Sequence, residues 1–489
     1  MPKPSILRAL VTLGSALAMF TALSGAEDRL PYDTHAVFRT HVPHLNSTGH
    51  GGAGADAKPS SGGGGADFSG TPYAVDPTVT ATTTGPEAEE HIAVNPVVGS
   101  FLVAAISDFS LRGGSNTTKY AVSATNGTSW SESFVPLTGG APATGDGQVW
   151  PYNSDPVVAI DLLGNVYLAD LYFHSETGDN SNGLYVSVGN VTLPDLGMTV
   201  AHTYAVSTQL DPATNVSEDK EWIAVDNSLS ANTGNVYASW TRFIGNSDMI
   251  LFSRSTNQGQ TWSAPLRISP VTQDGAVQGS ALAVGPNGEI YLAYEVFFVG
   301  GKRRQYLAKS TDGGQTFSAP VAVTPQFNEL KFNSTYRKNS FASLAASPTD
   351  GSVSMVYADQ PGQNARVEFI RSTTGGASFS APVFINDSSS GQRLMPAVTI
   401  DPLGTIHASW FDTRQGGRST ALYDIYATRS LDGGATFSPN ARVTGVTVNA
   451  GSASFIGDYS GVAAADGFAH PVWTSGGFNN GRLQTAALH

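Results

Sequence analysis

The 489-residue chain contains no cysteine. That excludes disulfides, thiolate metal sites and cysteine nucleophiles. Charge is scarce at 13% of residues, and acids outnumber Lys and Arg 39 to 26, for a formal net charge of −13. Nucleic-acid binders present basic surfaces, so no nucleic-acid partner is expected, while glycans and small molecules stay open. Beyond the first 26 residues no run is apolar enough for a membrane span. There is no HExxH, GxSxG, P-loop or dinucleotide fingerprint. What is present is glycine (54 residues) and a hydrophobic share of 40%. This is the composition of a chain that packs a core between many turns, neither helical nor charged and disordered.

Residues 1–26 read as an export signal. Lys3 and Arg8 precede the apolar run "ALVTLGSALAMFTAL", and Ser24 to Ala26 supply small residues for cleavage. The expected destination is periplasm, surface or medium, and a cysteine-free exported chain is ordinary for a bacterium. Residues 27–70 include "HVPHLNSTGHGGAGADAKPSSGGGGADFS", which is too poor in apolar residues to offset chain entropy and reads as a flexible leader.

From residue 71 to the end the chain repeats itself. A short apolar run ending in a turn recurs seven times: "HIAVNP", "PVVAID", "EWIAVD", "ALAVGP", "SLAASP", "PAVTIDP" and "GVAAAD". An aromatic strand follows, such as "NVYASW" or "TIHASW", then a third strand, a glycine turn and a fourth strand. Four short strands per unit, with one unit too small to bury its own core, predict an all-β propeller of four-stranded blades. Seven blades are expected, with six as the alternative. The last unit has only three strands, and "TPYAVDPTVT" (residues 71–80) is expected to supply its outer strand. Residues 71–489 are thus one domain.

The turn between third and fourth strands carries the most regular phrase: "STNQGQTWSAP", "STDGGQTFSAP", "STTGGASFSAP", "SLDGGATFSPN" and the weaker "SATNGTSW". Its glycines suit positive φ. Asp312 and Asp432, with Asn257, Thr374 and Thr125 in the same slot, offer an oxygen to the turn's own N–H groups. The closing aromatic can pack between blades. This phrase resembles the Asp-box, or BNR repeat, of sialidases and related propellers. The resemblance implies a structural box on the face away from the active site.

The opposite face gathers the residues just before first strands and those between second and third strands. Carboxylates, arginines and aromatics collect there, Glu89, Glu90, Asp219 and Lys220 among them. Sialidases use three arginines on the substrate carboxylate, a tyrosine nucleophile primed by a glutamate, and an aspartate acid/base. "DYSGVA" is similar to their late tyrosine motif, which implies catalytic roles for Tyr459, Glu221, Asp458 and Asp155. Arg337 and Arg393 fall where the family's later arginines lie, with Arg242 or Arg414 completing a triad. Asp412 and Trp150 are further candidate substrate contacts. The early "F/Y-R-I-P" motif is absent; its place reads "GPEAEEHIAV". The expectation is therefore a monomeric, sialidase-like protein that hydrolyses a glycan, with exo-α-sialidase the specific reaction. The alternative is a non-catalytic propeller that binds glycan or protein at the cell envelope. Asp219 is a candidate calcium contact, but no loop shows a run of oxygen ligands, so no metal or cofactor is expected.

Overall fold

A computed structural model describes residues 79, 87–112, 116–135, 150–174, 179–192, 197–416, 420–451, 453, 455–476 and 481–489. The segments expected to be an export signal and a leader, and most of the 71–80 segment, lie outside these residues.

The described residues form seven antiparallel sheets in chain order. Blades 1 to 6 span residues 87–134, 152–209, 216–267, 277–322, 343–384 and 393–442, with four consecutive strands in each. Blade 7, residues 462–485, has three. The first strands are Glu87–Val94, Tyr152–Ile160, Val216–Val225, Val277–Val284, Ser343–Ala346, Arg393–Ile400 and Val462–Ala465. Each packs against the next, and that of blade 7 returns to that of blade 1, so they ring the axis. This is a seven-bladed propeller.

The expected closure is visible at one described residue. The Val79 N–H donates to the Leu483 carbonyl at 2.9 Å, and both side chains share a buried cluster with Ile92 and Val472. Leu483 also donates its N–H to a Glu87 carboxylate oxygen at 2.9 Å, so the start of blade 1 and the end of blade 7 are pinned together.

The aromatic second strands fill the gaps between sheets. Trp240, Trp410 and Trp473 are fully buried, and each indole N–H finds an acceptor, on Glu218, Asp412 and Gln484 respectively. A buried ring of this size contributes area that a four-stranded sheet could not bury alone, and its N–H would be costly unpaired.

The five glycine turns share one hydrogen-bond scheme. The opening serine (Ser123, Ser255, Ser310, Ser372 or Ser430) accepts the N–H of the glycine four residues on, at 2.7–3.0 Å. The oxygen of Thr125, Asn257, Asp312, Thr374 or Asp432 accepts the N–H four residues further, at 2.9–3.0 Å. Gly314 and Gly434 adopt φ 79° and 86°, and a Cβ there would strike the Phe252 and Phe369 rings. The closing rings Phe317 and Phe437 meet those same two rings of the preceding blade edge-on, at 4.8 and 4.9 Å. The serine, which sequence reasoning passes over, holds the turn as much as the acid does.

Candidate functional site

Five first strands share a local distortion. The pairing of first and second strands slips by a bulge in blades 1, 2, 3, 4 and 6. At the bulge the backbone turns left-handed: Glu89 (φ 66°), Asp155 (60°), Lys220 (54°), Gly279 (72°) and Met395 (49°). Only Gly279 has the residue type that takes such φ without strain. Bulges re-aim side chains, and these sit where the inner strands begin, at the face opposite the glycine turns.

Lys220, Gly279 and Met395 line one small cleft with Phe341, Asp458 and Tyr459. Lys220 is 3% exposed, and its Nζ has no hydrogen-bond partner. The ammonium lies 3.4 Å above the centre of the Tyr459 ring and 6.0 Å from those of Trp222 and Phe341. Burial lowers the pKa of the amine, opposed by Asp458, Asp155, Glu89 and Glu221. Under it, Tyr459 meets Trp222 edge-on at 6.3 Å, and Trp222 meets His91 at 5.1 Å. The His91 Nδ1 accepts the Val158 N–H, and burial followed by Lys220 pulls its pKa down to about 3, so the ring is neutral. A cavity of about 250 Å³, lined in part by Trp222 and His91, continues along the axis.

Carboxyl groups crowd this column. Glu89 and Asp155 lie within hydrogen-bonding reach of one another, and burial, then Asp155, raises the Glu89 pKa well above the usual range. Burial and the neighbouring carboxyl both favour the protonated form of Glu89. Ser107 ties them together: its Oγ accepts the Asp155 N–H at 3.0 Å and donates to Glu89 at 3.4 Å. Asp219 and Glu221 are raised as well, by burial and then by Asp155. Neither Glu221 oxygen has a hydrogen-bond partner outside its own residue. Asp170, also raised by burial, completes the group.

The candidate substrate contacts fall in several places. Arg337 is the arginine at the cleft: its side chain is 33% exposed and grips both Asp458 oxygens, at 2.9 and 2.5 Å. Asn339 donates to the Asp458 carbonyl at 2.8 Å, which fixes the turn before Tyr459. The Tyr459 hydroxyl donates to the Pro156 carbonyl at 3.1 Å. Arg393 and Arg414 both close on Asp412, and Arg393 is wholly buried. Arg242 is spent on Glu218 and Ser207. Trp150 is buried and donates to the Tyr185 hydroxyl at 2.9 Å. So Tyr459, Asp458, Asp155, Glu221 and Arg337 come together around the axis, while Arg393, Arg414, Arg242, Asp412 and Trp150 are engaged within blades 2, 3 and 6. Glu89 and Lys220 are visible in the sequence as mouth residues, but their left-handed backbone is not. The single clue is glycine at the matching place in blade 4. Among the described residues no group of three or more His, Asp or Glu is arranged to hold a metal ion, and no helix is long and apolar enough to cross a membrane.

Residues 234–465 match the BNR repeat-like domain family. The match runs from the second strand of blade 3 to the first strand of blade 7. No curated protein matches it. Among solved structures, the chain is similar to a Penicillium chrysogenum α-L-arabinanase complexed with arabinobiose: 13% identity, 85% of this chain and 97% of that one, TM-score 0.46. It is similar to a polysaccharide lyase, an ulvan lyase, at 10% identity over 83% and 95% of the two chains, TM-score 0.48. A Trypanosoma rangeli sialidase in complex with sialic acid aligns at 13% identity over 83% of this chain and 54% of its own, TM-score 0.43, so the alignment spans about half of that sialidase. At such identities these likenesses concern the fold.

Proposed function

We propose that this propeller is a glycoside hydrolase working at the axial cleft, with exo-α-sialidase cleavage as the specific reaction. The observation that carries the reading is the convergence of Tyr459, Lys220, the Arg337–Asp458 pair and the neighbouring Glu89 and Asp155 carboxyls at one end of the axis.

The chemistry follows from the charges. Glycoside cleavage passes through a cationic, oxocarbenium-like state, which a pit of carboxylates favours. The anomeric carbon of a sialoside bears a carboxylate, so a neutral phenol meets less repulsion than an anionic nucleophile. Tyr459 would attack, its hydroxyl turning from the Pro156 carbonyl to pass its proton to the ionised form of Glu221. Burial and the surrounding acids raise the Tyr459 pKa, and the Lys220 ammonium against its ring face favours the phenolate in return. Asp155 would serve as the acid/base at the leaving oxygen, and Arg337 would receive the substrate carboxylate in exchange for Asp458. The cleft itself, about 20 Å³, has room for little more than a water, so the sugar ring would sit above it.

A second reading is a non-catalytic binding propeller, favoured by the engagement of Arg393, Arg414 and Arg242 with carboxylates of the fold. Turnover of fluorogenic glycosides, α-sialosides included, separates the two. Hydrolysis that falls at least about 100-fold in Tyr459→Phe and in Glu221→Gln supports the enzyme, a loss typical of removing an acid–base or nucleophilic group. Retained glycan binding with no turnover of any substrate supports the second reading.

A further inference from the structure

The cleft face has a second concavity, about 300 Å³, between blades 5 and 6 and away from the axis. Its walls are the 360–365 connection within blade 5 and the 385–392 connection into blade 6, both at the face where first strands begin. The walls are tied down: the Asn364 amide donates to the Ser389 carbonyl at 2.6 Å and the Asn386 amide to the Ser388 carbonyl at 3.0 Å. Buried Arg393 braces the far side by donating to the Gly391 and Ser390 carbonyls.

Two side chains in this cleft are not consumed by the fold. Phe384, on the short outer strand Val383–Phe384, is 59% exposed. Arg366, at the start of Arg366–Ser372, is exposed, and its guanidinium lies 5.0 Å over the Phe384 ring. Arg242, Arg337, Arg393 and Arg414 are each held by a carboxylate, whereas among the described residues Arg366 forms no ion pair. Of the nearby acids, Asp387 binds Arg414, and Glu368, two positions along the strand, is buried and raised to about 7 by burial and Asp359, with the Arg366 charge acting against them but no ion pair formed. A ring under the flat face of a guanidinium orients it and leaves its N–H edge free, the geometry that takes a carboxylate or sulfate through two parallel bonds. The volume is at the lower end of ligand pockets, enough for a single sugar unit.

We propose that this cleft binds an acidic sugar unit of a glycan, with its carboxylate or sulfate on Arg366 and its ring against Phe384 and Gln363. The inference extends the glycan reading to a second place on the same face, and binding is its readout, so it stands or falls separately from hydrolysis at the axis.

The test is calorimetric titration of the full chain with tetragalacturonate, a chondroitin sulfate tetrasaccharide and uncharged maltotetraose. At least one acidic probe is expected to bind at least about tenfold more tightly than maltotetraose, and Arg366→Met to lose about that factor, the scale of a charge-assisted bidentate contact. Arg366→Lys, which keeps the charge and loses the fork, should fall between. Any glycoside turnover at the axis should be unchanged in Arg366→Met, with an unaltered near-ultraviolet dichroism spectrum showing that the variant is folded. The proposal is overturned by the absence of binding to both acidic probes, by equal affinity for maltotetraose, or by unchanged affinity in both Arg366→Met and Phe384→Ala.

Discussion

Glu89 and Asp155 occupy the same position of adjacent blades, both on left-handed backbone, and their carboxyl groups meet. Glu89 is not a residue that adopts positive φ cheaply, Asp155 tolerates it better, and both are buried. The protein maintains strain and like charge at one spot, an arrangement found where pKa tuning has a task. Replacing Glu89 with Gln preserves the shape and removes its ionisable carboxyl. Turnover should fall at least about 100-fold, as for loss of an acid–base group, with little change in substrate KM. Steady-state kinetics on the best glycoside checks this, and unchanged kcat would remove the pair from the mechanism.

Stability should decline from pH 6.5 to 8. Burial raises Glu90 to about 8 and Asp248, Glu295 and Glu368 to about 7. Acids with raised folded-state pKa bind more protons folded than unfolded, so their contribution is full in acid and is lost as pH climbs through those values. His91 and His470, lowered to about 3 and about 4, act the other way, but only below the ordinary histidine value of 6.5. Between 6.5 and 8 the acids act without that opposition. Urea titrations across this window should show the slope flatten in Glu90→Gln by up to about 1.4 kcal/mol per pH unit, the value of one proton. An identical slope would contradict the assignment.

Lys220 should matter more at high pH than at low. Its charge lowers the pKa of Asp219 and stands among Glu89, Asp155 and Glu221. In Lys220→Met the raised acids Glu89, Asp219 and Glu221 would ionise without a counter-charge, so the stability gap from the parent protein should widen from pH 5 to pH 8. Thermal unfolding at the two pH values measures it. A gap that is constant or narrows would show that the ammonium does not balance them.

The glycine turns should affect stability and leave chemistry alone. Asp312→Ala removes the acceptor for the Gln315 and Thr316 N–H groups, both at an exposed turn, and should cost about 0.5–1.5 kcal/mol. Gly314→Ala should cost more, because its Cβ meets the Phe252 ring at 2.7 Å on backbone of φ 79°. Denaturant unfolding and turnover, measured together, test both halves; a change in kcat would place these turns in the mechanism.

The blades were legible because they repeat. Apolar runs, second-strand tryptophans and the glycine phrase each recur at one structural position, and periodicity of that kind survives low identity. Tyr459 and Arg337 were legible from their place just before first strands. The bulge was not, since Glu89, Asp155, Lys220 and Met395 have no common side-chain chemistry, and what unites them is a backbone angle. Arg393 reads as a mouth residue from its place in the chain, yet its guanidinium turns inward to Asp412 and to loop carbonyls. Direction of a side chain is set by partners hundreds of residues away or by a two-residue twist, and one-dimensional spacing carries neither.

The bond from Val79 to Leu483 gives the wheel a latch. Its two halves are about as far apart along the polypeptide as any contacting residues here, so synthesis delivers them at opposite ends of its schedule. The ring stays open until the last blade emerges. A protease or a rising temperature should unzip it at that same place, and a permuted chain whose new ends lie inside another blade would move the weak joint with them.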